Sequence, residues 1–285
     1  MPDADPSPCC APPSAGSPRA AAAPVGAPRA PDLGSDAGSP PATLVDIPAG
    51  PFLMGADDHQ GYPADGEGPV HEVALGAYRI DAVAVTNERF AEFVDATGFV
   101  TDAERYGWSF AFGGHLPDDF PDTAGVAAAP WWRQVFGADW RHPEGPQSSV
   151  DDRLAHPVVH VSWQDAVAYC AWSGTRLPTE AEWERAARGG VEQQRFPWGD
   201  ELEPGGEHRM NVFQGEFPGH DNGADGYRGT APVDAFEPNG FGLWNVTGNV
   251  WEWCADWFDP SWYRRSPREA PSGPPSGALR VMRGG

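Results

Sequence analysis

The sequence predicts an α+β fold that contains few regular elements and many ordered loops. Its 35 glycines and 32 prolines in 285 residues are typical either of disorder or of a domain built largely from turns. All 13 tryptophans follow Leu44, and such a density of large aromatic side chains indicates a packed interior. Three segments that combine a helix cap with an apolar face supply the helical part of the prediction.

Residues 1–42 differ in composition from the rest of the chain. Alanine, proline, serine and glycine dominate this segment, and residues 1–40 contain no aromatic side chain. Such a segment buries too little apolar surface to offset its conformational entropy, so we expect a disordered tail. We expect one folded domain over residues 43–285.

Short apolar runs near the start of this domain predict strands. Residues 43–48 form the first run, which the following proline and glycine should end. Residues 70–75 alternate between apolar and polar side chains and predict a second strand. We expect residues 78–81 and 83–85 to continue the β region.

Three helical segments each begin at a hydroxyl residue that can cap the helix, namely Thr86, Ser162 and Thr179. Asp165 and Glu182 stand three residues after the second and third caps, as in a capping box. Glycines suited to a left-handed C-cap predict where the helices end: Gly98, Gly174 and Gly189–Gly190.

Charge and composition exclude several classes of protein. The formal net charge of −22 argues against a nucleic-acid partner and against docking on anionic lipid, since both need basic surface. No stretch approaches the roughly 20 apolar residues that span a bilayer. Residues 1–5 lack the features of a secretory signal, and four cysteines are too few for a disulfide scaffold. We therefore expect a cytoplasmic protein with reduced thiols.

Histidines and glutamates are the first candidates for metal binding or acid–base catalysis. His156 and His160 would lie about 13 Å apart along a strand, so they cannot hold one ion and should be partly buried, hydrogen-bonding residues. Glu180, Glu182 and Glu184 could include a catalytic pair, but acids at the start of a helix more often complement its dipole.

Two loop segments concentrate side-chain oxygens. The first segment contains Asn211, Asp221, Asn222 and Asp225. The second contains Asn245, Asn249 and Glu252. Ca²⁺ prefers such oxygens, although turns in which Asn or Asp bonds its own backbone explain the same composition. The residues alone leave both explanations open. Cys170 and Cys254, which lie among apolar neighbours, predict buried and unreactive thiols.

Several strings in the chain are unusual enough to identify a family. They are Arg176–Glu184, Trp140–Pro146, His160–Trp163, Phe196–Gly199, Asn239–Asn245 and Trp251–Trp253. Together they resemble the formylglycine-generating enzymes, the sulfatase-modifying factor family, from about Leu44 to Gly285. The resemblance implies the family's fold, a loop-rich domain that is distantly like C-type lectins and binds structural Ca²⁺.

The resemblance also implies two calcium sites. One would combine the side chains of Asn211 and Asp225 with the carbonyls of Val212 and Tyr227. The other would combine the side chains of Asn245 and Glu252 with the carbonyls of Gly248 and Val250. Glu67 matches a further oxygen ligand of the family. Such ions would help to order the many loops.

The family oxidises a cysteine within a Cys-x-Pro-x-Arg motif of an unfolded sulfatase polypeptide to formylglycine, with molecular oxygen and Cu(I). The resemblance implies a substrate groove formed by Trp108, Ser109, Phe110, Trp131, Trp132 and Trp251. An acidic groove lined by aromatic rings would suit an arginine-containing peptide. We expect a monomer whose partners are the sulfatase polypeptide and oxygen, with no nucleic acid and no membrane.

The chain departs from the family pattern at its end. In the family, a segment like Arg280–Gly285 leads into a Cys-His-x-Ser-Tyr-Cys segment whose two cysteines hold copper. The printed sequence stops at Gly285, and Cys170 and Cys254 do not match those ligands. We therefore expect a C-terminally truncated domain that contains no catalytic residue and is inactive as an oxidase. The alternative is a non-catalytic, calcium-stabilised module that binds peptide.

Overall fold

The computed structural model describes residues 43–58 and 61–285, so the expected disordered tail over residues 1–42 lies outside the described residues. The α-helices are α1 (Asn87–Thr97), α2 (Asp102–Tyr106), α3 (Trp163–Ser173) and α4 (Glu180–Ala187). The strands are β1 (Leu44–Ile47), β2 (Gly50–Met54), β3 (His71–Leu75), β4 (Tyr78–Asp81), β5 (Trp108–Phe112), β6 (Gly125–Val126), β7 (Ala129–Phe136), β8 (Gly215–Glu216), β9 (His220–Asp221), β10 (Glu252–Trp257) and β11 (Arg280–Arg283).

The strands form several small antiparallel sheets. β1 pairs with β4, β2 with β3, β8 with β9 and β10 with β11, while β7 lies between β5 and β6 in a three-stranded sheet. Small sheets, short helices and long irregular connections confirm the α+β, loop-rich prediction. None of the helices within residues 43–58 and 61–285 is long and apolar enough to cross a membrane.

The predicted helix caps are confirmed. The Thr86 hydroxyl accepts the Arg89 N–H at 3.1 Å, and the boxes begun by Ser162 and Thr179 are complete. α1 and α3 end at glycines with left-handed backbone, as predicted. α4 ends at Ala187, two residues before the glycine pair that was expected to stop it.

Two strand predictions are wrong in detail. Residues 83–85 do not extend β4, because the chain leaves the sheet there and the Val85 carbonyl accepts the Val158 N–H at 2.8 Å. Gly50 begins β2 and does not merely end the first strand. Its φ of 145° is open to glycine and lets the chain turn into a second strand directly after β1.

Helix α2 was not predicted, although Thr101 and Glu104 form a complete capping box. The helix has only five residues, which is too short for an apolar period to appear in the sequence. Thr101 is fully buried, and its hydroxyl accepts the Glu104 N–H. The cap therefore defines this helix more than its apolar face does.

Two large clusters of buried side chains form most of the core, and the first of them is mainly aromatic. One lies between α1 and α3 and contains Phe90, Phe93, Val94, Trp140, Ala168, Tyr169 and Trp172. The other lies between α4, β1, β10 and β11 and contains Ile47, Trp183, Ala186, Ala187, Leu243, Val246, Cys254 and Val281. Both clusters join helices to loops, so loop residues contribute to the hydrophobic core.

Side chains form hydrogen bonds with many backbone groups of the loops. The Trp163 indole donates to the Cys254 carbonyl at 2.9 Å, and the Trp253 indole donates to the Val161 carbonyl at 3.0 Å. Buried Arg185 donates to three carbonyls around the β1–β2 turn. Buried backbone groups need hydrogen-bond partners. In these loops side chains provide the hydrogen bonds that neighbouring strands provide in a regular sheet.

Candidate functional site

The face of the β5–β7–β6 sheet that points away from the core carries the aromatic part of the site. Trp108 lies opposite Phe136, and Phe112 lies opposite Trp132, so these side chains share one face with Phe110. Phe110 is 42% exposed and Trp132 is 40% exposed. Large aromatic rings with this much exposed surface form a binding surface for apolar or cationic groups. We call the face formed by these five residues the aromatic face.

The β8–β9 region extends this surface with rings that the sequence did not single out. Phe217 lies 5.0 Å from Trp131 and 5.8 Å from Phe112 between ring centroids, and Phe213 lies 5.1 Å from Phe217. Phe112, a residue of the aromatic face, therefore joins that face to the β8–β9 hairpin, and Trp131 packs on the same hairpin. No periodicity marks Phe213 or Phe217, since both lie in irregular chain.

Ser109 points to the opposite side of the sheet from Trp108 and Phe110, because successive strand residues alternate in direction. Its hydroxyl meets His160 Nδ1 at 2.8 Å, while His160 Nε2 meets the Pro143 carbonyl at 2.8 Å. A carbonyl only accepts, so Nε2 carries the proton and Nδ1 accepts from Ser109. Burial lowers the pKa of His160, which favours this neutral form.

The histidines are hydrogen-bonding residues, as the sequence predicted. His156 Nδ1 lies 2.9 Å from the Thr230 hydroxyl, and burial lowers the His156 pKa. His160 joins three segments through its two ring bonds and has a left-handed backbone with φ of 58°. The unusual backbone turns the ring towards the loop that contains Pro143.

Trp251 lies in a different place from the rest of the predicted groove. It is 49% exposed and lines a cavity of about 670 Å³ together with Trp244 and Trp253. None of the other five predicted groove residues lines this cavity. The structure thus brings four tryptophan and phenylalanine positions together on or beside the aromatic face, and places Ser109 and Trp251 elsewhere.

The first predicted calcium cluster is compact. Asp225 Oδ2 accepts the Val212 N–H and its Oδ1 accepts the Tyr227 N–H, each at 3.0 Å, while Asn211 and Asp225 are both buried. A buried carboxylate close to a buried amide side chain is suited to a hard cation. Its hydrogen bonds equally describe an Asx-type turn.

The second cluster leaves one buried side-chain oxygen without a protein partner. Asn245 Oδ1 is buried and accepts no hydrogen bond, although its Nδ2 donates to the Pro232 carbonyl at 3.0 Å. Glu252 accepts a bond from the Trp183 indole at 3.0 Å, and burial raises the pKa of Glu252 to about 7. A buried carboxylate and a buried amide oxygen without a hydrogen-bond partner are each of the type that binds a hard cation.

Asn249 joins the two clusters. Its backbone N–H donates to the Asn211 carbonyl at 2.7 Å, and its Oδ1 accepts the Ala231 N–H at 2.8 Å. Gly248 packs so closely that a Cβ there would lie 2.5 Å from the Asn211 carbonyl oxygen, which explains the glycine. The predicted ligand segments 211–212 and 245–252 therefore converge in space.

Glu67 lies apart from both clusters, in the connection between β2 and β3. The charges that act on it are Arg283, Asp65, Glu184 and Asp58, and burial raises its pKa. None of the other eight predicted calcium-ligand residues is among these neighbours. The structure therefore places Glu67 in a separate acidic loop.

The two thiols within residues 43–58 and 61–285 do not form a site for a soft metal. Cys254 is buried, and burial raises its pKa well above the usual value. Cys170 is half-buried on the cavity wall, where burial also raises the thiol pKa. The described part of the chain contains no group of three or more His, Cys, Asp or Glu side chains suited to a metal ion.

Two of the three helix-start glutamates belong to a buried ion-pair network. Burial alone would raise the pKa of Glu184, but Arg283 and Arg188 outweigh it and lower that pKa. Arg283 donates to Glu184 at 2.7 Å and to Glu180 at 3.2 Å. Glu182 completes the α4 cap and pairs with Arg176. The cap prediction is confirmed for Glu182, while Glu180 and Glu184 are held in place by Arg283.

These features together define a loop-rich α+β domain that combines an aromatic sheet face with converging oxygen-rich loops. The chain matches the sulfatase-modifying factor enzyme 1-like domain over residues 29–285, and it belongs to that family. This confirms the family expected from the sequence strings.

Three comparisons describe its neighbours. The chain is 60% identical over 246 residues to the formylglycine-generating enzyme of Thermomonospora curvata, covering 85% of this chain and 81% of that protein. It is 47% identical over 220 residues to the inactive C-alpha-formylglycine-generating enzyme 2 of Mus musculus, covering 76% and 70%. Among solved structures, PvdO from Pseudomonas aeruginosa shares the fold with a TM-score of 0.59 and 26% identity, covering 85% and 80%.

Proposed function

We propose that residues 43–285 form the peptide-binding body of a formylglycine-generating oxidoreductase. Its substrate would be an unfolded sulfatase polypeptide whose Cys-x-Pro-x-Arg cysteine becomes formylglycine, with molecular oxygen as oxidant. The observation that carries this proposal is the 60% identity to a formylglycine-generating enzyme over 85% of the chain.

The aromatic face supports binding of an arginine-containing peptide. Phe110 and Trp132 offer exposed rings on which a guanidinium group can stack. The net charge of −22 attracts a basic peptide before contact. Trp251 would contribute from the cavity side, where its ring is half exposed.

Calcium would order the two loop clusters. Asn245, Glu252 and the carbonyls of Gly248 and Val250 would hold one ion, and the orphaned Asn245 oxygen supports this assignment. Asn211 and Asp225, with the carbonyls of Val212 and Tyr227, would hold the second. A bound divalent ion would be the partner of loop oxygens that accept no hydrogen bond from the protein.

Copper does not fit the described residues. Cu(I) is bound by soft thiolates, and the described thiols have raised pKa values and no metal-ligand neighbours. We therefore assign no oxidation step to Cys170 or Cys254. We therefore expect the described residues to bind the substrate peptide without themselves supplying copper ligands.

Peptide binding and turnover can be measured on the same sample. The purified chain is mixed with a Cys-x-Pro-x-Arg peptide, Cu(I) and oxygen, and mass spectrometry follows conversion of the cysteine to formylglycine. We expect peptide binding that weakens in Trp132→Ala and persists in Leu279→Ala, an exposed residue away from the aromatic face. If the peptide bound neither the unsubstituted chain nor the Leu279→Ala variant, the proposal would be contradicted.

A non-catalytic peptide-binding module is the second candidate. The similarity to a relative named inactive favours it, as does the lack of a thiol pair within the described residues. The two candidates differ in one result. Formylglycine product in the presence of Cu(I) would exclude the module, and binding without product under saturating copper and oxygen would support it.

A further inference from the structure

The chain contains two Asn–Gly dipeptides, at Asn222–Gly223 and at Asn239–Gly240. Asparagine is a chemically labile residue, because the backbone nitrogen of the next residue can attack its side-chain carbonyl carbon. A following glycine favours this attack, since it has no Cβ to shield its nitrogen and it restricts the backbone least. The two dipeptides are chemically identical, so their surroundings in the fold decide which of them reacts.

Asn222 is exposed and directly follows β9 at the end of the β8–β9 hairpin. Its backbone N–H donates to the Gln214 carbonyl at 2.7 Å, and its Oδ1 accepts the Ala224 N–H at 2.9 Å. The Nδ2 group, which would leave as ammonia, makes no hydrogen bond with the part of the chain that the structure describes. The side chain is therefore held through its oxygen alone.

The backbone nitrogen of Gly223 has a proton acceptor beside it. Its N–H donates to Asp221 Oδ1 at 2.9 Å, and the same oxygen accepts the Gln214 N–H at 3.3 Å. Attack on Asn222 requires that the glycine nitrogen lose its proton, and a carboxylate within hydrogen-bond distance can accept that proton. Asp221 therefore lies where this step needs a base.

The other site is protected, because both polar atoms of the Asn239 side chain are engaged. Its Nδ2 donates to the Ala186 carbonyl at 2.8 Å and to the Ala187 carbonyl at 2.9 Å. Its Oδ1 accepts the N–H groups of Phe241 at 2.9 Å and Leu243 at 3.0 Å. Rotation of this amide and loss of its nitrogen would break these hydrogen bonds, which the folded chain opposes.

We propose that Asn222 is a site of spontaneous deamidation through a cyclic imide, with Asp221 as the proton acceptor. The Gly223 nitrogen forms a bond to Asn222 Cγ, and its proton passes to Asp221 and from there to the departing group. The Cγ–Nδ2 bond breaks, and Nδ2 leaves as ammonia. Water then opens the imide at either carbonyl and gives aspartate or isoaspartate. Water is consumed, ammonia is released, and no oxidant or cofactor takes part.

The isoaspartate product would alter the β8–β9 hairpin. It places an extra methylene in the backbone at the residue that bonds to Gln214, and it adds a negative charge next to Asp221. The hairpin contains Phe217, whose ring lies 5.0 Å from that of Trp131 between centroids. The reaction would therefore loosen rings that lie beside the aromatic face. The inference does not rest on the proposed function.

Peptide mapping of the full chain, aged in water enriched in heavy oxygen, tests the proposal. The label marks each new carboxylate, and electron-transfer fragmentation separates aspartate from isoaspartate, which only the imide route forms. We expect deamidation at Asn222 to be at least about tenfold faster than at Asn239. In concentrated urea, which removes the fold, the two rates should agree within about twofold.

Variants test the side chains that take part. Asp221→Asn keeps an oxygen that can accept the Gly223 N–H but removes the carboxylate, and it should slow the reaction at Asn222 at least about threefold. Glu216→Gln removes the same charge from an exposed position in the same hairpin and should leave the rate unchanged. In the isoaspartate form, hydrogen exchange over residues 215–221 should be at least about threefold faster.

Equal rates at Asn222 and Asn239 in the folded chain, or a product without isoaspartate, would overturn the proposed site. A difference that persisted in urea would refute the argument that the fold selects the site. An unchanged rate in Asp221→Asn would overturn the proposed proton acceptor, and unchanged hydrogen exchange would overturn the effect on the hairpin.

Discussion

Substitution of Arg283 should reveal how strongly the end of β11 is fixed to α4. The Arg283 side chain is 19% exposed, and its guanidinium donates to Glu184 at 2.7 Å, to Glu180 at 3.2 Å and to the Tyr263 hydroxyl at 3.3 Å. Glu184 is only 3% exposed. The variant Arg283→Met keeps most of the side-chain volume and removes the charge, which leaves Glu184 with Arg188 and the Gly55 N–H.

Removal of one partner from a buried ion pair costs about 3–5 kcal/mol, because the remaining charge stays desolvated. Arg188 still compensates Glu184, so we expect a loss of about 3 kcal/mol in the free energy of unfolding. Urea denaturation followed by tryptophan fluorescence measures this loss as a lower midpoint at constant slope. The double variant with Glu184→Gln should destabilise less than the sum of the single changes.

Arg176→Met is the matched control. Arg176 also holds a glutamate bidentately, but its side chain is 64% exposed, and exposed pairs contribute about 0–1 kcal/mol. If Arg283→Met cost no more than Arg176→Met, the argument from burial would be refuted. Additivity in the double variant would show that Arg283 and Glu184 do not interact.

Three further predictions concern the calcium clusters, an acid and a cap. With chelator removed, calcium at 100 times its dissociation constant should stabilise the chain by about 2.7 kcal/mol, and Glu252→Gln should abolish most of the thermal shift. Burial raises the pKa of Asp256 to about 6 from 3.8, so the folded state binds its proton more tightly than the unfolded state. The stability that Asp256 contributes should therefore be greatest below pH 4 and should be lost as the pH rises through 6. Urea titrations at successive pH values, carried out with chelator present, should show this fall in the free energy of unfolding. Asp256→Asn should make the dependence on pH weaker. Thr101→Ala removes the α2 cap and should cost about 1–2 kcal/mol, and an unchanged urea midpoint would contradict that role.

Local chemistry made the helices predictable. Ser162 and Thr179 cap helices through atoms three residues away, so the relevant interactions are visible in the sequence itself. The same locality applies to α2, where the capping box at Thr101 was present but no apolar period accompanied it. Caps are reliable because they need no distant partner.

The grouping of the site residues was predictable only in part. Trp108, Phe110 and Trp132 were expected together, and strand pairing places them on one face. Ser109 was expected with them, but the pairing of β5 with β7 directs it to His160 on the other side. The resemblance to the family suggested the groove residues. The register of β5 against β7, which the sequence does not show, decided on which face of the sheet each side chain lies.

The sequence by itself determined the family, the caps and the residue types of the oxygen-rich loops, because each depends on neighbours a few positions apart. Only the tertiary structure brought Asn249 to Asn211 and placed Arg283 against α4. Each of these features joins segments separated by tens of residues through loops without a repeating pattern. In such loops the backbone finds its partners in side chains from distant segments, and no local period of the sequence records those contacts.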